Sequence, residues 1–119
     1  MRKFKDYDVW KNSMNLVEEV YLILEKFPNT EKYNLKSQMS RSAVSIPSNI
    51  AEGCSRNSKK EFCRFLEIAL GSAFELETQS LLSIKIGIIN KVELVNYLDL
   101  LNKIQRQLNS LIQKIKADR

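Results

Sequence analysis

The chain of 119 residues contains no histidine and only two cysteines, Cys54 and Cys63. Without histidine, the Ser-His-Asp and Cys-His nucleophile arrangements and the Glu-x-x-His ligands of di-iron bundles are excluded. A zinc site normally uses three or four protein ligands, which two cysteines cannot supply. We therefore expect no metal and no cofactor, and we interpret both cysteines as free, small apolar side chains.

Glycine and proline are also scarce, with 3 and 2 residues. Because a sandwich or barrel of short strands needs many turn formers, this scarcity favours long helices. No apolar run approaches the ~18 residues that span a bilayer, so we expect no membrane contact. The N-terminal sequence MRKFKDYDVW is charged where a secretion signal needs an apolar core, which predicts a cytoplasmic protein.

What the chain does contain is apolar residues spaced three and four apart over four segments, the period of amphipathic helices. The first helix is predicted from Trp10 to before Pro28, with a core face of Trp10, Met14, Val17, Tyr21 and Leu24. The second is predicted from Asn34 to near Gly53, with Leu35, Met39, Ala43, Ile46, Ile50 and Cys54 facing the core. Ser58 with Glu61, and Asn90 with Glu93, are capping pairs that predict the starts of two more helices.

Four helices with short connections predict an all-α fold, an antiparallel up-down-up-down four-helix bundle formed as one domain by residues 1–119. The second helix is predicted to kink at Pro47, because proline in a helix interior costs roughly 3 kcal/mol. Two interpretations remain open. Small neighbours such as Ser45 and Ser48 would let another backbone approach closely, or Pro47 only bends the helix around the core.

A polar stripe lies opposite the apolar face of the second helix. Chain reversal near residue 57 places Arg41 level with the following helix, so we expect an ion pair from Arg41 to Glu75 or Glu77. The alternative is a solvated face. The residues assigned to a structural or oligomer network are Arg41, Ser45, Pro47, Asn49, Glu52, Glu75 and Glu77.

The net charge of +5 is unevenly distributed. In the predicted bundle, segments 1–11, 53–64 and 106–119 share one end and together carry twelve basic and four acidic side chains. A concentrated positive field is the sequence-independent part of nucleic-acid binding. The candidate binding residues are Arg2, Lys3, Lys5, Arg56, Lys59, Lys60, Arg64, Arg106, Lys114 and Lys116. Phe4 and Tyr7 either stack on bases or are buried in the core.

Residues 35–79 carry a more specific pattern. The pair Gln38 and Arg41, the run SIPSNIAEG of residues 45–53, Arg56, and the later segment from Ala69 to Glu77 resemble the bacterial four-helix-bundle family encoded in intervening sequences of 23S ribosomal RNA genes. The resemblance implies a homopentamer similar to the accessory protein of diversity-generating retroelements, which works with a reverse transcriptase and RNA. Ser40 departs from this family, where many members have a second basic residue.

Three functions are compatible with these features. The first is a non-enzymatic, oligomeric accessory protein that binds nucleic acid, with RNA preferred because of the resemblance. The second is a scaffold whose basic end docks an acidic protein. The third is an enzyme that uses Glu52, Glu61, Glu75 or Glu77 as acid and base, although no nucleophile, metal ligands or phosphate loop accompany them.

Overall fold

The computed structural model describes residues 2–31 and 34–118. The four helices are α1 (Asp8–Leu24), α2 (Leu35–Cys54), α3 (Lys59–Lys85) and α4 (Lys91–Ala117). Single turns of 3-10 helix, Phe4–Asp6 and Asn29–Glu31, precede α1 and α2. The molecule measures 46 × 22 × 20 Å. Among the helices of the described ranges, none is long and apolar enough to cross a membrane.

The helices form a ring in which each contacts the neighbours that precede and follow it, and α1 also contacts α4. The predicted all-α antiparallel four-helix bundle is confirmed. Local signals explain its helix ends: the Ser58 hydroxyl accepts a hydrogen bond from the Glu61 N–H at the start of α3, and the Asn90 N–H donates to Glu93 Oε2 at the start of α4. Gly87 follows α3 with a φ of +83°, a conformation that glycine adopts without strain.

The contact between α2 and α3 is the most extensive in the bundle. Ser45 Oγ lies 2.8 Å from Ser72 Oγ, and the Asn49 amide donates to both the carbonyl and the hydroxyl of Ser45. A Cβ at Gly53 would lie 2.9 Å from Phe65 Cβ. Small residues on α2 therefore let it approach α3 closely, and α2 continues through Pro47, which is buried.

The predicted core face of α1 is wrong at Met14 and Tyr21. Met14 is 47% exposed and Tyr21 is 54% exposed, while Trp10 and Val17 are only half-buried and Leu24 is buried. The buried residues of α1 are Val9, Ser13, Leu16, Val20, Ile23 and Leu24, of which only Leu24 belongs to the predicted face. Two apolar stripes run along α1, offset by one residue and therefore by ~100° around the helix axis. The stripe with Leu16 and Val20 packs against the core, and the stripe with Met14 and Tyr21 does not.

The face of α2 agrees with the prediction. Met39, Ala43, Ile46, Ile50 and Cys54 are buried on α2, whereas Leu35 is half-buried. On α4 the buried residues are Leu94, Tyr97, Leu101, Ile104, Leu108, Ile112 and Ile115. The Ser80 hydroxyl donates its one hydrogen to the Leu76 carbonyl. Because that hydrogen is already used, the Tyr97 hydroxyl is the donor in its 2.6 Å hydrogen bond with Ser80 Oγ.

Gly53→Ala should destabilise the fold by about 1–3 kcal/mol, because the new methyl group would clash with Phe65 and with the Phe62 carbonyl. Gly71→Ala, measured in protein dilute enough to keep copies apart, is the matched control, since no described atom beyond the adjacent backbone of α3 lies within 4 Å of its new methyl group. The control should gain about 0.5–1 kcal/mol from helix propensity alone. Urea unfolding of both variants measures the difference, and equal effects would contradict the close approach at Gly53.

Alkaline pH provides a second test of the core. Burial raises the pKa of Tyr97 above its ordinary value of 10.0, and the nearby carboxylates Glu77 and Glu19 raise it further, against the hydrogen bond with Ser80. The unfolded chain therefore loses this proton at a lower pH than the folded chain, so the stabilising contribution is complete below pH 10 and falls above it. In Tyr97→Phe, the free energy of unfolding should decline less steeply above pH 10 than in the wild type. Parallel declines would contradict this assignment.

Candidate nucleic-acid interface

Three separate segments meet at one end of the bundle, as predicted. Arg2 Nη1 donates to the Arg56 carbonyl at 2.7 Å, which joins the N-terminal segment to the connection between α2 and α3. Lys59 Nζ contacts the Asp118 carbonyl at 3.4 Å, which joins the start of α3 to the end of α4. We define the basic end as segments 2–11, 53–64 and 114–118, which carry ten basic and four acidic side chains.

The aromatic residues at the basic end are packed against the bundle. The Phe4 ring lies edge-on to Trp10, with centroids 5.2 Å apart, and Tyr7 lies edge-on to Phe62 at 6.1 Å. Burial and the proximity of Cys54 raise the pKa of Tyr7, against the opposing effect of Arg2. Of the two interpretations of Phe4 and Tyr7, the structure supports burial: both are half-buried and hold the N-terminal segment in place.

Two arginines of the basic end serve the fold. The Arg2 guanidinium lies 4.2 Å from the centroid of the Phe62 ring, and that of Arg56 lies 4.8 Å from the centroid of Phe65. Arg56 Nη2 also donates to Glu52 Oε1 at 2.9 Å. No local signal in the sequence indicates the Arg2 contact, because its partners Arg56 and Phe62 are more than 50 residues away.

Two carboxylates outside the segments counted from the sequence reduce the charge at this end. Glu52 pairs with Arg56, and Glu67 pairs with Lys116 at 3.3 Å. Seven cations of the basic end are exposed and form no salt bridge with any residue of 2–31 or 34–118: Lys3, Lys5, Lys11, Lys59, Lys60, Arg64 and Lys114. These seven side chains present charge to solvent that no carboxylate of the described residues compensates.

Arg106 does not lie at the basic end. It is close to the middle of α4, eleven residues before Ala117, which corresponds to about 16 Å along the helix axis. Arg119 falls outside the described residues.

A groove of about 570 Å³ runs between the start of α3 and the end of α4, lined by Lys60, Glu61, Cys63, Arg64, Glu67 and Lys116.

The expected ion pair from Arg41 to Glu75 or Glu77 is wrong. Arg41 and Glu75 are exposed, and neither forms a salt bridge with a residue in the described part of the chain. Glu77 Oε1 instead accepts a hydrogen bond from Gln105 Nε2 at 2.8 Å. The chain reversal does place Arg41 near the height of Glu75, but the close contact of Ser45 with Ser72 leaves both charged side chains on the outer surface.

The proposed structural network is therefore divided among three surroundings. Ser45 and Asn49 bond each other and contact α3 through Ser72. Pro47 lies beside an apolar groove of about 340 Å³ between α1 and α2, which Trp10, Met14 and Val44 also line. Arg41, Glu52 and Glu75 face solvent. Within residues 2–31 and 34–118, no three side chains of the metal-ligating types come together.

Comparison with known proteins agrees with this architecture. The sequence profile of the family described as 23S rRNA-intervening sequence protein matches residues 5–110. A crystal structure of a protein with unknown function from the S23 ribosomal protein family of Bacteroides thetaiotaomicron is similar, with a TM-score of 0.81 and 27% sequence identity over 87% of this chain and 97% of that chain. Among curated proteins, none matches the chain.

Arg2→Ala should lower the free energy of unfolding by about 1–2 kcal/mol, because it removes the hydrogen bond to the Arg56 carbonyl and the contact with the Phe62 ring. Lys3→Ala is the matched control; it removes the same charge from an exposed neighbour and should change stability by less than about 0.5 kcal/mol. Thermal unfolding compares the two variants. A loss for Lys3→Ala as large as that for Arg2→Ala would show that the effect is one of net charge.

Proposed function

Because the chain belongs to the 23S rRNA-intervening sequence protein family, we propose that it is a non-enzymatic, homo-oligomeric accessory protein that binds RNA through the basic end of the bundle. The observation that carries the proposal is the set of exposed lysines from three segments that form no salt bridge within the described ranges: Lys3, Lys5, Lys11, Lys59, Lys60 and Lys114. RNA is preferred over DNA because of the family's association with ribosomal RNA genes.

Binding of this kind is electrostatic. Lysine and arginine side chains neutralise phosphates and release the counterions condensed on the nucleic acid, so affinity falls as salt rises. Phe4 packs against Trp10 and Tyr7 packs against Phe62, so these rings are not free to stack on bases. Contact with phosphates is therefore the mode of recognition that we propose. We therefore propose binding with little sequence preference.

Self-association would strengthen a weak contact of this kind. Each copy contributes one basic end, and linked binding sites raise the overall affinity through effective concentration. The homopentamer implied by the family resemblance would present five such ends. The free cysteines Cys54 and Cys63, both buried, fit the cytoplasmic location that we propose.

An acidic protein is the second candidate partner, because the same exposed cations would attract clustered carboxylates. A reverse transcriptase, implied by the resemblance, is one protein of this kind to test. An acidic protein that still co-purifies with this chain after nuclease treatment would favour the protein partner. Co-purification that nuclease abolishes would favour RNA.

RNA binding is tested with the triple variant Lys3→Glu, Lys60→Glu, Lys114→Glu, which takes one exposed cation from each segment of the basic end. We expect its affinity for a labelled single-stranded RNA to fall more than ~10-fold and its salt dependence to become shallower. Fluorescence anisotropy over a salt series measures both quantities.

The matched control is Lys85→Glu, Lys91→Glu, Lys103→Glu, which makes the same change in net charge with exposed lysines outside the basic end. It should retain affinity within ~3-fold, because screening weakens charges more than about 10 Å from the RNA. Equal losses in the two triple variants, or wild-type affinity that does not change with salt, would contradict the proposal.

A further inference from the structure

Two exposed stripes of four residues lie on the neighbouring helices α2 and α3. When the stripes are aligned in opposite directions, residues of complementary charge or size face each other. On α2 the stripe is Arg41, Val44, Ser48 and Glu52, and on α3 it is Arg64, Ile68, Gly71 and Glu75. The spacings of three and four residues place each set on one side of its helix. All eight residues are exposed.

Antiparallel alignment of the two stripes pairs opposite charges at both ends. Arg41 and Glu52 are eleven residues apart, as are Arg64 and Glu75, so the charges of each stripe are separated by about 16 Å along the helix axis. When one helix is reversed, Arg41 faces Glu75 and Glu52 faces Arg64. Glu52 already shares one carboxylate oxygen with Arg56, and its second oxygen remains for another donor.

The middle of the alignment is complementary in size. Val44, which is 40% exposed, faces Gly71, and Ile68, which is 41% exposed, faces Ser48. Beyond the adjacent backbone of α3, no atom of the described residues lies within 4 Å of the position that a Cβ at Gly71 would occupy. A valine side chain of another helix can therefore enter this space, and an isoleucine can pack over the serine. Each of these two contacts places a large side chain against a small residue, which allows two helices to approach closely.

The heights of the two stripes along the bundle also agree. Ser45 contacts Ser72 within one chain. Arg41 precedes Ser45 by four residues and Glu75 follows Ser72 by three, so their heights differ by only about 1.5 Å. Glu52 and Arg64 match equally well. A second copy related by rotation about an axis parallel to the bundle preserves these heights, so its α3 can lie antiparallel to α2 of the first copy without any shift.

We propose that the α2 stripe binds the α3 stripe of a second copy of this chain, with Arg41 paired to Glu75 of the partner subunit and Glu52 paired to Arg64 of the partner subunit. This inference deepens the proposed function, and it rests on the self-association in that function and not on RNA binding. Each copy carries one stripe of each kind, so the contact can repeat around a ring. Rotation about a parallel axis places all the basic ends on the same side of the assembly.

Charge reversal tests the pairing. Arg41→Glu alone and Glu75→Arg alone each place like charges against one another, which should weaken association more than ~10-fold. The double variant Arg41→Glu, Glu75→Arg should recover the wild-type assembly, because the two substituted positions again face each other with opposite charges at every contact between copies. Light scattering gives the mass of each sample, and circular dichroism confirms that each variant is folded.

Lys103→Glu and Asp99→Arg are the matched controls, since both alter exposed residues of α4 outside the two stripes, and their masses should stay unchanged. Gly71→Gln is an independent variant that should fold at least as stably as the wild type, because glutamine favours helix over glycine, and yet should lose mass. A monomeric wild type, single variants of wild-type mass, or a double variant as small as the single variants would each overturn the proposed interface. RNA affinity is measured separately, so loss of RNA binding with an intact assembly would defeat only the RNA proposal.

Discussion

The close packing of α2 against α3 is the constraint on which the other features depend. Gly53 leaves no room for a side chain beside Phe65, and Ser45 meets Ser72 within hydrogen-bond distance. These contacts determine both the relative height of the two helices and the rotation of each about its own axis. They bring Phe62 and Phe65 beneath Arg2 and Arg56, and they leave Arg41 and Glu75 on the outer surface. The organisation of the basic end and the position of the two stripes follow from the same interface.

The basic end combines cations of two kinds. Arg2 and Arg56 hold the N-terminal segment and the connection after α2 by contacts with a carbonyl, a carboxylate and two aromatic rings. Lys3, Lys60 and Lys114 extend into solvent, where phosphates can reach them. A charge count from the sequence treats these residues alike, whereas burial and pairing distinguish them. Charge concentrated by chain reversal is available for binding only where the fold does not already use it.

Local signals explain why much of the fold could be predicted from sequence. The caps at Ser58 and Asn90, the positive φ at Gly87 and the strict spacing of apolar residues on α2 and α4 depend on near neighbours in the chain. The face of α1 could not be chosen in this way, because the stripe with Met14 and Tyr21 and the stripe with Leu16 and Val20 have the same period. Arg41 illustrates the same limit: chain reversal predicts its height beside Glu75, but the direction of its side chain depends on how α2 is rotated against α3. At the basic end the ion pair of Lys116 with Glu67 depends on a tertiary contact of this kind, whereas Arg56 and Glu52 are only four residues apart in the chain.

In the proposed assembly, the arrangement of copies connects the stripes to the basic end, because an axis parallel to the bundle gathers the exposed lysines on one side. A crystal structure of the assembled protein tests this most directly. We expect an axis parallel to the helices, Arg41 beside Glu75 of the partner subunit, and every basic end on the same surface. An assembly whose axis is perpendicular to the helices, with basic ends on opposite surfaces and both stripes exposed to solvent, would contradict this expectation.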